Sequence, residues 1–202
     1  MIKVHHLNQS RSTRVLWLLE ELKLPYEVVH HERDPHTRLA PVSLGQVHPL
    51  NKAPAIEHNG LVLCESGAIM EYLLDQAEST ALRPAKSDTH YYQYLEWLHF
   101  AEGSLALPVI TTLLLGMEQR EGSAPMDGYI AKELALDLSY IEATLSQQTF
   151  FAGPQFSAAD IMMTITLEFA ANLKLLDDKP QIQRYLNQVQ SREAYQAARK
   201  QG

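Results

Sequence analysis

The chain has almost no cysteine: Cys64 is the only one in 202 residues. A single thiol excludes a disulfide framework within one chain, and the expected home is reducing and cytoplasmic. Long apolar runs are also missing. None reaches the roughly 18 residues a bilayer crossing needs, so no membrane span is expected. The opening MIKVHHLNQSR has neither a long apolar stretch nor a small-residue cleavage site, so no signal peptide is expected. Positive charge is scarce. Lys and Arg number 17 against 24 Asp and Glu, a formal charge of −7. That balance disfavours nucleic acid as a partner, because a polyanion wants a basic face. Neither half is a charged tail, and no repeat or low-complexity tract is visible.

What is present has two grammars. With 46% hydrophobic residues the chain can bury a sizeable core. Residues 1–80 read as mixed α/β. Ile2–His6 is a short strand candidate, followed by a helix over Ser12–Lys23 with Val15, Leu16, Leu18, Leu19 and Leu22 at helical spacing. Pro25 stops that helix, since proline pushes the residue before it out of the helical region. Tyr26–His30 is the next strand. Ala55–Glu57 and Leu61–Cys64 flank Asn59-Gly60, a strong hairpin signal. Ala68–Leu74 reads as helix. The order strand, helix, strand, irregular stretch, strand, strand, helix is thioredoxin-like, with the first two strands parallel. Residues 79–87 resemble a linker, with its core at 81–87. From 88 to 202 the pattern is all-helical. Asp88–Leu107 forms a long helix that Pro108 and Gly116 should bend or interrupt. Ile130, Leu134, Leu138, Ile141 and Leu145 form an apolar stripe. Two further helices fall at Ser157–Leu173 and Ile182–Ala198.

Four motifs could carry chemistry or nucleate the fold. The stretch from Asn8 to Arg14 joins the first strand to the first helix. Ser12 or Thr13 is expected to cap that helix. Ser10, at the mouth of the helix, could instead donate to a ligand thiolate, which the helix dipole also favours. In His48-Pro49-Leu50-Asn51-Lys52-Ala53-Pro54, Pro54 falls where a thioredoxin-like order places a cis peptide. Ala53 would then offer its backbone to a ligand, and Lys52 could meet a carboxylate or be merely solvated. In Glu65-Ser66-Gly67, Ser66 is the expected N-cap of a helix. The same helix start could hold a carboxylate, with Glu65 available for an ammonium. Together these recognise an α-amino acid terminus. Ser157 with Asp160 is a capping-box variant that nucleates a helix and performs no chemistry. Cys64 reads as a small buried hydrophobe without a C-x-x-C partner. Seven of the nine histidines precede residue 80, but no metal-binding spacing appears and no metal is expected.

Taken in order, these segments resemble the glutathione transferase family over nearly the whole chain. Ser10 to Leu22, Arg33-Asp34, His48-Pro49-Leu50 and Glu65-Ser66-Gly67-Ala68-Ile69 are similar to the fungal-type transferases and their bacterial relatives. The Phe156-Ser157-Ala158-Ala159-Asp160 box and the Ser191–Tyr195 ending match the family's helical domain. The resemblance implies that Ser10 contacts the glutathione sulfur, as in the serine-type classes. It gives the backbone of Ala53, before a cis Pro54, to the cysteinyl unit, and Glu65 with Ser66 to the γ-glutamyl end. Lys52 matches a position used for the glycyl carboxylate. Asn51 stands where glycine is frequent, and Ala53 where valine is. Neither tyrosine nor cysteine occupies the sulfur position, which argues against the tyrosine type and against thiol-transfer chemistry.

The activity so implied is conjugation of glutathione, as co-substrate, to a small hydrophobic electrophile in a homodimer. The electrophile's pocket is expected between the domains, near the helix carrying Tyr94, Leu98 and Glu102. Two rivals use the same residues. One is glutathione-dependent peroxide reduction or isomerisation. The other is a glutathione-binding module without turnover.

Overall fold

A computed structural model describes residues 1–78 and 81–201. Ser79 and Thr80, which end the expected first domain and open the linker-like stretch, lie outside the described residues. The chain divides into two units, with the first boundary between Thr80 and Ala81. Residues 81–90 form no helix or strand.

The first unit contains β1 (Ile2–Leu7), α1 (Thr13–Leu22), β2 (Tyr26–His31), α2 (Val42–Val47), β3 (Ala55–His58), β4 (Leu61–Cys64) and α3 (Ser66–Gln76). Its sheet runs β2-β1-β3-β4. β1 and β2 are parallel, and the other two pairings are antiparallel. This is the thioredoxin-like order. The β3–β4 turn needs positive φ at both central residues, and Asn59 (φ 50°) and Gly60 (φ 81°) supply it. α1 is apolar almost all round, from Val15 to Leu19, and each of those residues is fully buried. A helix of that kind needs cover on more than one side. It receives it from β1, α3 and α9 (Glu193–Arg199).

That last contact corrects the expected division. The sequence assigned everything from residue 88 to one helical domain, whereas the chain from Gln190 onward belongs to the first unit. Tyr195 packs edge-on against Trp17, with ring centroids 5.0 Å apart. The Arg192 guanidinium donates to both oxygens of Glu21, at 2.6 and 2.8 Å. The Trp17 indole N–H donates to the same carboxylate at 2.9 Å.

α2 is a second correction, since the sequence left this stretch irregular. VSLGQV has two valines and a glycine, poor helix formers, and buries only Leu44. One of its side chains joins a tertiary hydrogen-bonded row. Glu57 accepts from His5 Nε2 (2.7 Å), and His5 Nδ1 lies 3.0 Å from His31 Nε2. His31 Nδ1 lies 2.9 Å from the Ser43 hydroxyl. This row of side chains ties β3, β1 and β2 to the first turn of α2.

The second unit is helical: α4 (Tyr91–Phe100), a π-helical turn (Ala101–Leu105), α5 (Ala106–Leu115), α6 (Pro125–Gln147), α7 (Ala158–Asn172) and α8 (Pro180–Gln190). Pro108 does not break the helix. Proline lacks the N–H that would bond the carbonyl four residues back, at Ser104, and Ser104 sits in the widened turn where that ladder is already out of step. Gly116 does end it. The stretch Tyr91–Leu115 is long and apolar enough, by length and composition, to cross a membrane, although Glu96 and Glu102 interrupt its apolar run. Here it packs against α6 and α7 and buries Tyr94, Trp97, Leu98, Ala101, Leu105 and Val109. The α6 stripe from Ile130 to Leu145 is buried as its spacing requires.

Candidate active site

Strand directions bring three segments of the first unit to one end of its sheet. β1 runs out at Leu7 into the loop carrying Ser10. β3 is antiparallel to β1 with His5 opposite Ala55, so Ala53-Pro54 enters beside that loop. β4 pairs Cys64 with Ala55, so Glu65 and Ser66 leave at the same end. The polar residues singled out in the sequence are thereby collected without any of them needing to be close in the chain.

In the first segment, Ser12 occupies the N-cap position of α1 but makes no capping bond with its side chain. The expected cap is corrected: the Ser12 hydroxyl turns back into β1. It accepts from the Leu7 N–H at 3.2 Å and lies 2.9 Å from His6 Nδ1. Thr13 donates its hydroxyl to the Ser10 carbonyl at 3.3 Å. Ser12 is fully buried, while Ser10 keeps 8% of its surface. Asn8 Oδ1 accepts from the Arg33 N–H at 3.0 Å, and the Arg33 side chain donates to the Asn8 carbonyl at 3.2 Å. Among these side chains Ser12 is enclosed, Asn8 Oδ1 is taken up by the Arg33 N–H, and Ser10 keeps a little exposed surface. Arg33, part of a recognised motif but without an assigned role, fastens this loop from the end of β2.

In the second segment the Ala53-Pro54 peptide is cis, in keeping with the expected position. Pro54 is buried, Ala53 half-buried and Lys52 exposed. Ala53 lies outside the ladder, which begins at Ala55. Asn51 has φ 50°, the left-handed region that asparagine tolerates better than other side chains do. That conformation suits asparagine at a position where the family resemblance leads one to expect glycine.

In the third segment Ser66 is not the N-cap. Glu65 is, and Ser66 is the first helical residue. Glu65 has φ 73° and ψ 119°, so its carbonyl accepts from the Ile69 N–H at 2.9 Å and starts the helix one residue early. The Glu65 side chain is exposed and Ser66 is buried. The amide groups of the first helical turn have no partner within the helix, so they face outward as anion donors. Arg14, fully buried on α1, places Nη1 3.5 Å from Ser66 Oγ and adds positive charge behind this corner. Sequence reasoning gave Arg14 no role, because its proximity to Ser66 depends on how α1 and α3 pack. Beside it, burial and the Glu65 carboxylate push the Cys64 thiol up, away from the thiolate form that redox chemistry uses.

On the helix expected to border the second substrate, Tyr94 and Leu98 are buried and Glu102 is half-exposed.

A thioredoxin-like unit with a hydroxyl at its first helix mouth, a cis proline and a carboxylate-serine corner, joined to a helical unit, defines a class. Residues 1–75 match the model of the glutathione S-transferase N-terminal domain, and residues 105–193 that of the C-terminal domain. The chain belongs to the glutathione transferase family of enzymes. It is 34% identical to glutathione S-transferase 3 of Schizosaccharomyces pombe, over 98% of this chain and 86% of that one. It is 30% identical to glutathione S-transferase 1 of Saccharomyces cerevisiae, over 98% and 94%. A solved glutathione S-transferase from Actinobacillus pleuropneumoniae superposes with a TM-score of 0.91 at 33% identity, covering 100% of this chain and 92% of that one.

Proposed function

We propose that this enzyme conjugates the thiolate of glutathione to small hydrophobic electrophiles, with Ser10 donating to the sulfur. Glu65 and Ser66 hold the γ-glutamyl end, the Ala53 backbone pairs with the cysteinyl unit, and Lys52 meets the glycyl carboxylate. The observation that carries this reading is the convergence of Ser10, Ala53-Pro54 and Glu65-Ser66 at one end of the sheet, with Ser10 keeping surface where Ser12 has none.

The chemistry asks for an ionised thiol near neutral pH. A free thiol has a pKa of about 8.5, and each unit of lowering needs about 1.4 kcal/mol of preference for the thiolate. A hydrogen bond to a charged acceptor supplies about 1.5–3 kcal/mol, and a helix N-terminus about 0.3–1. Ser10 at the mouth of α1 offers both. The second task is to hold the electrophile against that sulfur.

The test is turnover of glutathione with a panel of halogenated aromatics, activated alkenes and organic hydroperoxides. Conjugation of a halogenated aromatic is the expected result. Turnover of hydroperoxides alone would replace conjugation with peroxide reduction. Calorimetric binding without any turnover would make the protein a glutathione-binding module. The same reading includes a C2 homodimer. A monomer mass by light scattering at micromolar concentration would remove that part.

A further inference from the structure

The hydroxyl oxygens of Ser10 and Ser12 lie 2.7 Å apart, and His6 Nδ1 lies 2.9 Å beyond Ser12. All three residues are buried. Backbone donors already point at both oxygens. The Ser12 N–H donates to Ser10 Oγ at 3.2 Å, and the Leu7 N–H donates to Ser12 Oγ at 3.2 Å. Each hydroxyl has one proton to give.

The row can therefore run in two directions. With a proton on His6 Nδ1, the ring donates to Ser12, Ser12 donates to Ser10, and the Ser10 proton is left for an acceptor outside the row. With Nδ1 bare, Ser12 donates to His6, Ser10 donates inward to Ser12, and no proton remains for a sulfur. The Leu7 carbonyl also lies near Ser12 Oγ, but at 3.3 Å it is the longer alternative to Ser10. A thiolate only accepts, so it needs the first direction. The His6 ring is held on β1, edge-on to His30 with centroids 5.8 Å apart.

We propose that His6 and Ser12 are positioning residues: His6, carrying its proton on Nδ1, sets the direction of the His6–Ser12–Ser10 row and so aims the Ser10 hydroxyl at the glutathione sulfur. This rests on the reading of Ser10 given above. Neither residue touches glutathione, and both act through Ser10.

Two measurements test it. Nitrogen-15 NMR of histidine-labelled enzyme with bound glutathione should show His6 protonated at Nδ1, its signal assigned by its loss in His6→Asn. A neutral His6 protonated only at Nε2 overturns the proposal. The thiolate absorbance of bound glutathione, titrated with pH, gives the thiol pKa in each variant. Ser12→Ala should raise it by between about 0.5 and 1 pH unit, the size of one hydrogen bond. Ser12→Thr, which restores the hydroxyl, and His6→Asn, whose amide can place a donor where Nδ1 stands, should return it towards the parent value. Calorimetric glutathione affinity checks that each variant keeps its site. A raised pKa in Ser10→Ala with the parent value in Ser12→Ala would end the relay and leave the role of Ser10 intact. A parent pKa in Ser10→Ala would remove both.

Discussion

Glu65 holds a backbone conformation that side chains resist, φ 73° with ψ 119°, outside even the left-handed helical well. Such residues cost on the order of 1–3 kcal/mol and persist where the surroundings hold them. Glycine pays no such penalty. Glu65→Gly should therefore be more stable than Glu65→Ala by about 1 kcal/mol in chemical denaturation. Both should lose glutathione affinity, because both lose the carboxylate. Equal stabilities would mean that the conformation costs nothing. At the neighbouring position, Ser66→Ala should weaken glutathione binding by about 1.5–3 kcal/mol in calorimetry. Because Ser66 follows the N-cap, its removal costs no capping bond, but losing the acceptor that buried Arg14 reaches should lower the melting temperature by a few degrees; unchanged affinity would place the γ-glutamyl end elsewhere. Ser10, Glu65 and Ser66 were legible in the sequence as polar residues at segment ends. The inward turn of Ser12 was not. It depends on His6 and Leu7 of β1, which a capping rule based on local spacing does not consult.

α7 begins at a carboxylate shared with the loop at Phe151 and with Tyr185 of α8. Asp160 is fully buried and accepts from the Ser157 N–H (2.8 Å) and hydroxyl (2.9 Å), the Phe151 N–H (3.0 Å) and the Tyr185 hydroxyl (3.2 Å). Burial pushes its pKa up to about 6 against those four donors, so at neutral pH the ionised form is the one they hold. Asp160→Asn turns one acceptor oxygen into a donor facing donors. It should cost about 1.5–3 kcal/mol in denaturant unfolding. The sequence showed the Ser157–Asp160 spacing, while the contributions from Phe151 and Tyr185 come from outside any local window. The sheet carries a different sensitivity. Burial, with His5 and His30 nearby, lowers the pKa of His31 below its ordinary value of 6.5. The unfolded chain then takes up this proton more readily than the folded one. The His31 contribution is fully present above about pH 6.5 and is lost as pH falls through the folded value. His31→Gln should flatten the fall in stability on acidification from that point. An unchanged slope would assign the acid sensitivity to other groups. α2, which Ser43 joins to this row, escaped the sequence reading because its own residues favour helix so little.

Across the whole molecule the units were legible as a change of pattern near residue 80, since strand alternation and helical spacing differ in period. The return of α9 to the first unit was not. Nothing in the local pattern of Glu193–Arg199 says that its partner is α1, some 170 residues earlier. The joint between them is open to test. Glu21 is 11% and Arg192 34% exposed at the side chain. Arg192→Ala would leave the Glu21 carboxylate with Trp17 and without its counter-charge, and should cost about 1.5–3 kcal/mol of stability. A cost below about 0.5 kcal/mol, the level of ordinary surface changes, would show the pair to be incidental. The same joint orders events in time. A chain made from its N-terminus completes α1, the sheet and every helix of the second unit before α9 exists. Until then the Trp17 side of α1 lacks its lid, so a translation product cut short after α8 keeps a sticky apolar face on an otherwise foldable sheet. The closing of that face is a mark by which chains that have reached α9 differ from chains that have not.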